Sequence, residues 1–241
     1  MSLKDTVKLA PALGIDRVLK GLVPSDYTVE SLITQFPDFW MNVSSIIEKT
    51  PKDTLQGFFY WKLISASAPY LSAPELTPWT QFQNKLRGKA PDAVPDRWRT
   101  CLGHADNSLT WFLSRFYVEA AFSERAKNLG DKIISQIKQQ FIARIKTLDW
   151  VDDSVKKLAI DKVNAIDQKV GYPTTSPNMV DPEALKAYYA GVNITDNFYD
   201  NMKSSTRAEV RRSWSALGKP VDHGVWGMSA STVNAYYNPT G

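Results

Sequence analysis

Apolar residues in the first two hundred positions recur at three- and four-residue intervals, the spacing that lines one face of an α-helix. In "TPKDTLQGFFYWKLISASA", Thr50 is placed to cap a helix, Pro51 suits its first position and Asp53 follows three residues after the cap. Leu55, Phe58, Phe59, Leu63 and Ala66 then share a face, as Phe39, Val43, Ile46 and Ile47 do upstream. "PDRWRTCLGHADNSLTWFLSRFYVEAAF" reads as a helix opening at a proline, with Leu109, Phe112, Leu113, Phe116, Tyr117 and Ala120 as its stripe. The longest pattern is "SERAKNLGDKIISQIKQQFIARIKTLDW", where Leu129, Ile133, Ile137, Phe141, Ile145 and Leu148 repeat over about six turns.

A further helix, capped by Asp152 or Asp153, carries Val155, Leu158, Ala159, Val163 and Ile166 and is expected to end at Gly171, before Pro173. After the loop "GYPTTSPNMVDP" come a short helix with Leu185, Tyr188 and Tyr189, and a longer one from about Thr195 to Leu217. All these stripes are expected to form the core. Beyond Gly218-Lys219-Pro220 the helical spacing stops. "STVNAYYN" alternates, with Val233, Ala235 and Tyr237 on one face and Asn234 and Tyr236 on the other, which predicts a short strand. A lone strand leaves its backbone donors and acceptors without partners, and the sequence offers no obvious mate.

Composition narrows the function classes. The 43% hydrophobic and 22% charged residues are ordinary for a globular chain. The net charge of +4 is scattered, with no run of five basic residues, so there is no focused face for nucleic acid. No apolar run reaches the roughly 18 residues of a membrane span, and the first twenty residues lack signal-peptide character. The single cysteine, Cys101, allows no internal disulfide. Asn42-Val43-Ser44 and Asn193-Ile194-Thr195 are candidate N-glycosylation sequons.

Residue types alone give no catalytic centre. The two histidines, His104 and His223, do not form His-Glu-x-x-His, and Cys101 with His104 one helical turn away lacks a third metal ligand. Ser229 in "GMSAS" misses the second glycine of a nucleophile elbow and precedes a strand where the elbow requires a helix. No phosphate-cradling glycine loop is present. Asp152 and Asp153 read as helix capping, and Arg207, Arg211 and Arg212 as a solvated helix face.

The order of motifs is more informative than any one of them. "TPKDTLQGFFYWKLI", "RWRTCL", "RFYVEAAF", "TLDWVDDSVKKLAIDKVNAIDQKVGYP" and "KPVDHGVWGMSASTVNAYYNPTG" together resemble the neprilysin-like zinc metallopeptidases, which include the endothelin-converting enzymes. The resemblance covers essentially the whole chain. It implies a mainly α fold: a helical cap lobe over residues 1–205, then a linker and the first strand of a truncated thermolysin-like α+β lobe over 206–241. By residue type Asn234 reads as a turn or edge polar residue. By resemblance its amide grips the substrate backbone, the Ala235 backbone binds alongside, and Tyr236 lines the cleft.

The implied function is part of a secreted or membrane-anchored zinc metalloendopeptidase acting on peptides. The zinc ligands of the family's His-Glu-x-x-His are not among these residues, so no catalytic or metal-binding residue is assigned and the chain by itself is expected to be inactive. The resemblance also implies that Cys101 pairs, in complete relatives, with a cysteine N-terminal to this segment. The alternative reading is a non-catalytic helical interaction module or pseudopeptidase remnant.

Overall fold

A computed structural model describes residues 1–238. It is mainly helical, and the chain divides into two compact units, each built from separate stretches of sequence. One unit comprises Met1–Asp96 and Gly191–Pro220. The other comprises Arg97–Ala190 and the stretch from Val221 onward. The boundary expected at residues 205 and 206 lies inside a helix of the first unit.

The first unit contains α1 (Leu3–Leu9), α2 (Ile15–Leu22), α3 (Pro37–Lys49), α4 (Lys52–Ser67), α5 (Thr77–Leu86) and the last helix, α11 (Phe198–Trp214). Local chemistry sets several of these ends. Ser2 caps α1 by accepting the Asp5 N–H at 3.1 Å, and Asn197 caps α11 by accepting the Asp200 N–H at 3.1 Å. The expected start at Thr50 is displaced. Pro51 occupies the N-cap of α4, while the Thr50 hydroxyl donates to Ile46 O at 2.6 Å and closes α3. That hydroxyl finds an orphan carbonyl of the preceding helix nearer than a donor of the next one. The buried residues here are small or polar, namely Gly14, Ala10, Ala68, Ala208, Thr6, Ser44, Asn84 and Ser205. Their polar groups are used: Ser44 Oγ accepts the Ala12 N–H at 3.1 Å, and Asn84 Nδ2 donates to the carbonyls of Pro91 and Ala93.

The second unit contains α6 (Arg97–Ser108), α7 (Thr110–Ala121), α8 (Glu124–Lys146), α9 (Asp153–Asn164) and α10 (Pro182–Tyr188). The single helix expected across α6 and α7 breaks at Leu109, which leaves helical geometry at φ −128° and ψ 43°. Trp111, Met179 and Leu185 form the core, with Val118, Tyr172, Tyr188, Tyr189 and Trp226 packed against it. Tyr189 joins this core by accepting the Trp111 N–H on its hydroxyl at 2.9 Å.

Helix α9 stops at Asn164, seven residues short of Gly171. The intervening strip is held by side chains of α8 instead. Lys138 Nζ donates to Ile166 O and Lys127 Nζ to Val170 O, both at 2.8 Å, and Gln168 Nε2 donates to the backbone and carboxylate oxygens of Asp131. Carbonyls satisfied by lysines no longer need a continuing helix. Gly171 then turns at φ 80°, a conformation that favours glycine, with its Cα face against the Phe122 ring. Pro173 and Met179 beyond it are fully buried.

The expectation that the apolar stripes form the core is corrected by the fold. Leu129, Ile133, Ile137 and Phe141 of α8 are 58%, 48%, 61% and 55% exposed, and only Ile145 of that stripe is buried. Phe58, Phe59 and Leu63 of α4, Phe112 and Phe116 of α7, and Val155 and Leu158 of α9 are likewise exposed. Periodicity identifies a helix and its apolar face, but it does not supply the surface that covers that face.

Candidate substrate-binding segment

The segment from Val221 to Asn238 is positioned by a series of specific contacts with the body of the second unit. Its first turn is polar. The Asp222 carboxylate accepts the Ser176 hydroxyl on one oxygen and the Gly224 N–H, at 2.8 Å, on the other. Those two hydrogen bonds, Ser176 first, hold the Asp222 carboxyl below its usual value of 3.8, with the charges of Lys169 and His223 adding to the effect. Val225 forms an isolated parallel bridge with Ser176, and its carbonyl accepts from Lys169 Nζ at 2.6 Å. The turn packs closely enough that a Cβ on Gly224 would lie 2.9 Å from Thr175 Oγ1 and 3.0 Å from Ser176 Cβ.

Trp226 inserts its ring against the Trp111–Met179–Leu185 core. Four residues on, the Ala230 N–H donates at 3.1 Å to Ser114 Oγ, a hydroxyl buried in α7. Ser229 sits in a local turn, its hydroxyl shared with Ser231 at 3.0 Å and Thr232 at 2.8 Å.

Beyond these anchors the chain runs out into solvent. Val233 is fully exposed, and Asn234, Ala235 and Tyr236 are exposed as well. Among the described residues, 232–238 pair with no other strand, so the alternation read from the sequence yields an extended segment without a ladder. The three residues are nevertheless organised. Asn234 Oδ1 accepts the Ala235 N–H at 2.8 Å, the Asn234 N–H reaches Thr232 O at 3.2 Å, and the Tyr236 hydroxyl accepts the Gly227 N–H at 3.0 Å. The Asn234 amide NH₂ is left without a hydrogen bond among the described residues. It is an accessible donor on an open main-chain edge.

The remaining candidates lie elsewhere. Cys101 is a free, exposed thiol on α6, and His104 lies on the same helix. Asn42 is exposed in the middle of α3, but the serine of its sequon, Ser44, is buried and bonded to Ala12. Asn193 lies in an exposed loop, its N–H on Ser204 Oγ at 2.7 Å and Thr195 bonded to Asn201. Among the described residues no three His, Cys, Asp or Glu side chains gather as metal ligands would. Among the described residues no helix is long and apolar enough to cross a membrane. Ser114, Ser176, Lys169 and Asp222, which position the segment, were not singled out from the sequence. Lys169 and Asp222 lie within the quoted motifs, but nothing in the sequence distinguishes their polar side chains from the other polar residues around them.

The profile for the N-terminal part of peptidase family M13 matches residues 1–173. Neprilysin-3 of Drosophila melanogaster is 29% identical over 250 aligned residues, covering 100% of this chain and 31% of its own. Endothelin-converting enzyme 1 of Rattus norvegicus is 28% identical over 212 aligned residues, covering 88% of this chain and 27% of its own. The chain therefore spans less than a third of the curated relatives it matches. The cryo-EM structure of the Mycobacterium tuberculosis zinc metalloprotease ZMP1 in its open state superposes with a TM-score of 0.76 over 99% of this chain and 35% of that one. At 24% identity this likeness speaks for the fold. With the profile covering well over half of its residues and the relatives aligned along nearly all of it, the chain belongs to peptidase family M13.

Proposed function

We propose that this chain is the helical cap and one wall of the substrate groove of a zinc metalloendopeptidase that hydrolyses peptides outside the cell, either secreted or membrane-anchored. The observation that carries the reading is the 221–238 segment, anchored through Asp222 to Ser176, through Ala230 to Ser114 and through Tyr236 to Gly227, yet exposed from Val233 to Tyr236. An extended peptide can add to such an edge as a further strand, and main-chain hydrogen bonds then give affinity with little side-chain selectivity. Asn234 would bind the peptide backbone through its amide, and Ala235 through its main chain after exchanging the bond to Asn234 Oδ1. Tyr236 would contribute as a wall and as the anchor to Gly227. Relatives named as neprilysin and endothelin-converting enzyme support peptide hydrolysis as the activity.

Zinc does not fit the described residues, which hold no three-donor group, so no step is drawn through a metal on this chain. The ligands would belong to the remainder of a polypeptide of the relatives' length. The exposed apolar faces of α4, α7 and α8 are consistent with such a remainder, since leaving a large apolar side chain open forgoes about 1.5–3 kcal/mol. The same remainder would supply a partner cysteine for Cys101.

The test compares residues 1–241 with the polypeptide read from the continuing gene. The shorter chain is expected to bind no stoichiometric zinc and to leave a fluorogenic peptide intact. The longer one is expected to cleave it in a chelator-sensitive way, with Asn234→Ala lowering kcat/KM by about tenfold or more. Chelator-sensitive cleavage by residues 1–241 alone would refute the division of labour. A continuing gene without His-Glu-x-x-His would favour a non-catalytic interaction module.

A further inference from the structure

A cleft of about 340 Å³ opens in the second unit between the 167–175 strip and the turn at 223–226. Lys127, Lys169 and His223 bring basic groups to it, Thr174 and Thr175 bring hydroxyls, and Tyr172 and Trp226 bring aromatic walls. The charges do not simply cancel. Lys127 lies 3.8 Å from Asp131 and is partly neutralised, and Asp167 adds one carboxylate to the lining. The Asp222 carboxylate is hydrogen-bonded by Ser176 and Gly224 and interacts with Lys169 and His223 only at longer range. Lys169 is the exception. Its ammonium donates to Val225 O and has no carboxylate within 4.0 Å among the described residues. An ammonium held by one neutral carbonyl keeps two donors for a ligand, and a charged acceptor forms the stronger bond with them. The hydroxyls of Thr174 and Thr175 and the imidazole of His223 make no hydrogen bonds among the described residues and share the same opening.

We propose that this cleft receives the carboxylate of an acidic peptide, with Lys169 as its principal contact, His223 and the two threonines as further donors, and Trp226 packing on the aliphatic stem. That the ligand is a peptide rests on the peptidase reading above. Continuity supports it: Trp226, the aromatic wall, is followed directly by Gly227, whose N–H carries the Tyr236 hydroxyl. The cleft and the substrate segment are therefore joined through a single residue and one hydrogen bond. The volume matches one or two residues of an extended chain rather than a large ligand.

The test uses the intact 241-residue chain and needs no catalysis. With only two histidines in the sequence, NMR resolves His223 from His104, which lies on α6 and serves as the internal reference. Acetyl-Gly-Glu-Glu is titrated against its Gln-Gln analogue and against inorganic phosphate. The acidic peptide is expected to move the His223 and Trp226 signals, leave His104 in place, and bind at least about tenfold more tightly than the neutral analogue. Lys169→Gln, which can still donate to Val225 O but has no charge, is expected to abolish that preference, and Lys157→Gln, on the exposed side of α9 and outside the cleft, to keep it. Equal binding of the two peptides, an unchanged preference in Lys169→Gln, or phosphate binding as tightly as the acidic peptide would each overturn the proposal. An acidic-peptide site in a chain whose full-length form cleaves nothing would leave this inference standing while removing the peptidase reading.

Discussion

The hydroxyl of Tyr236 accepts the backbone N–H of Gly227 at 3.0 Å, tying the outer end of the 227–236 loop back to its start. Tyr236 thereby acts on the shape of the segment as well as on its surface. Because the loop is exposed, the bond is worth only about 0.5–1 kcal/mol. Tyr236→Phe keeps the ring and removes the acceptor. The expected outcome is a two- to five-fold faster exchange of the Gly227 amide hydrogen, roughly the same energy expressed as a population, with no resolvable change in global stability. If Gly227 exchanges at the parent rate in the variant, the tyrosine does not hold the loop.

Three glycines separate backbone need from helix propensity. Gly171 combines φ 80° with a Cβ position 2.6 Å from the edge of the Phe122 ring, so Gly171→Ala meets both strain and overlap and is expected to destabilise by about 2–4 kcal/mol. Gly103, inside α6 with nothing within 4 Å of its Cβ position, has neither problem, and alanine there is expected to stabilise by about 0.5–1 kcal/mol. Gly130 is intermediate. Inside α8 its Cβ would lie 2.8 Å from Val170 Cγ1, so the helix gain and the displaced valine are expected to cancel to within about 0.5 kcal/mol. Urea denaturation of the three variants checks the ranking, and a destabilised Gly103→Ala would break it.

Helices were legible in the sequence because a 3.6-residue period requires no knowledge of neighbours. α3, α4 and α8 appear where Val43, Phe58 and Ile137 place them, and α11 falls within the span read from Thr195 to Leu217. What periodicity could not give was what covers each face, and Ile137 and Phe141 show this directly: they are helical as read and exposed where burial was expected. Helix ends failed for a different reason. The limit of α9 is set by Lys127 and Lys138, some thirty residues earlier in the chain, and no local signal at Asn164 announces them. The site divides in the same way. Asn234, Ala235 and Tyr236 are marked by a motif, whereas Ser114 and Lys169 fix where that motif sits through long-range contacts that no local pattern announces.

Asp106 supplies a prediction in which charge and burial oppose each other. On α6 its Oδ1 is buried with no hydrogen-bond partner among the described residues, and burial pushes its carboxyl above the usual value of 3.8. The native state therefore holds this proton more tightly than the unfolded chain does. Stability contributed through Asp106 is present at pH values below 3.8 and is lost as pH rises through the raised native value, leaving an unpaired, partly buried charge at neutral pH. Asn at this position keeps the shape and removes the charge. Asp106→Asn is accordingly expected to raise the urea midpoint at pH 7, and the gain should shrink towards zero when midpoints are compared near pH 3.5. A variant no more stable than the parent at pH 7 would mean that the carboxylate is solvated or paired in solution, and the apparent burial of Oδ1 would then have no energetic consequence.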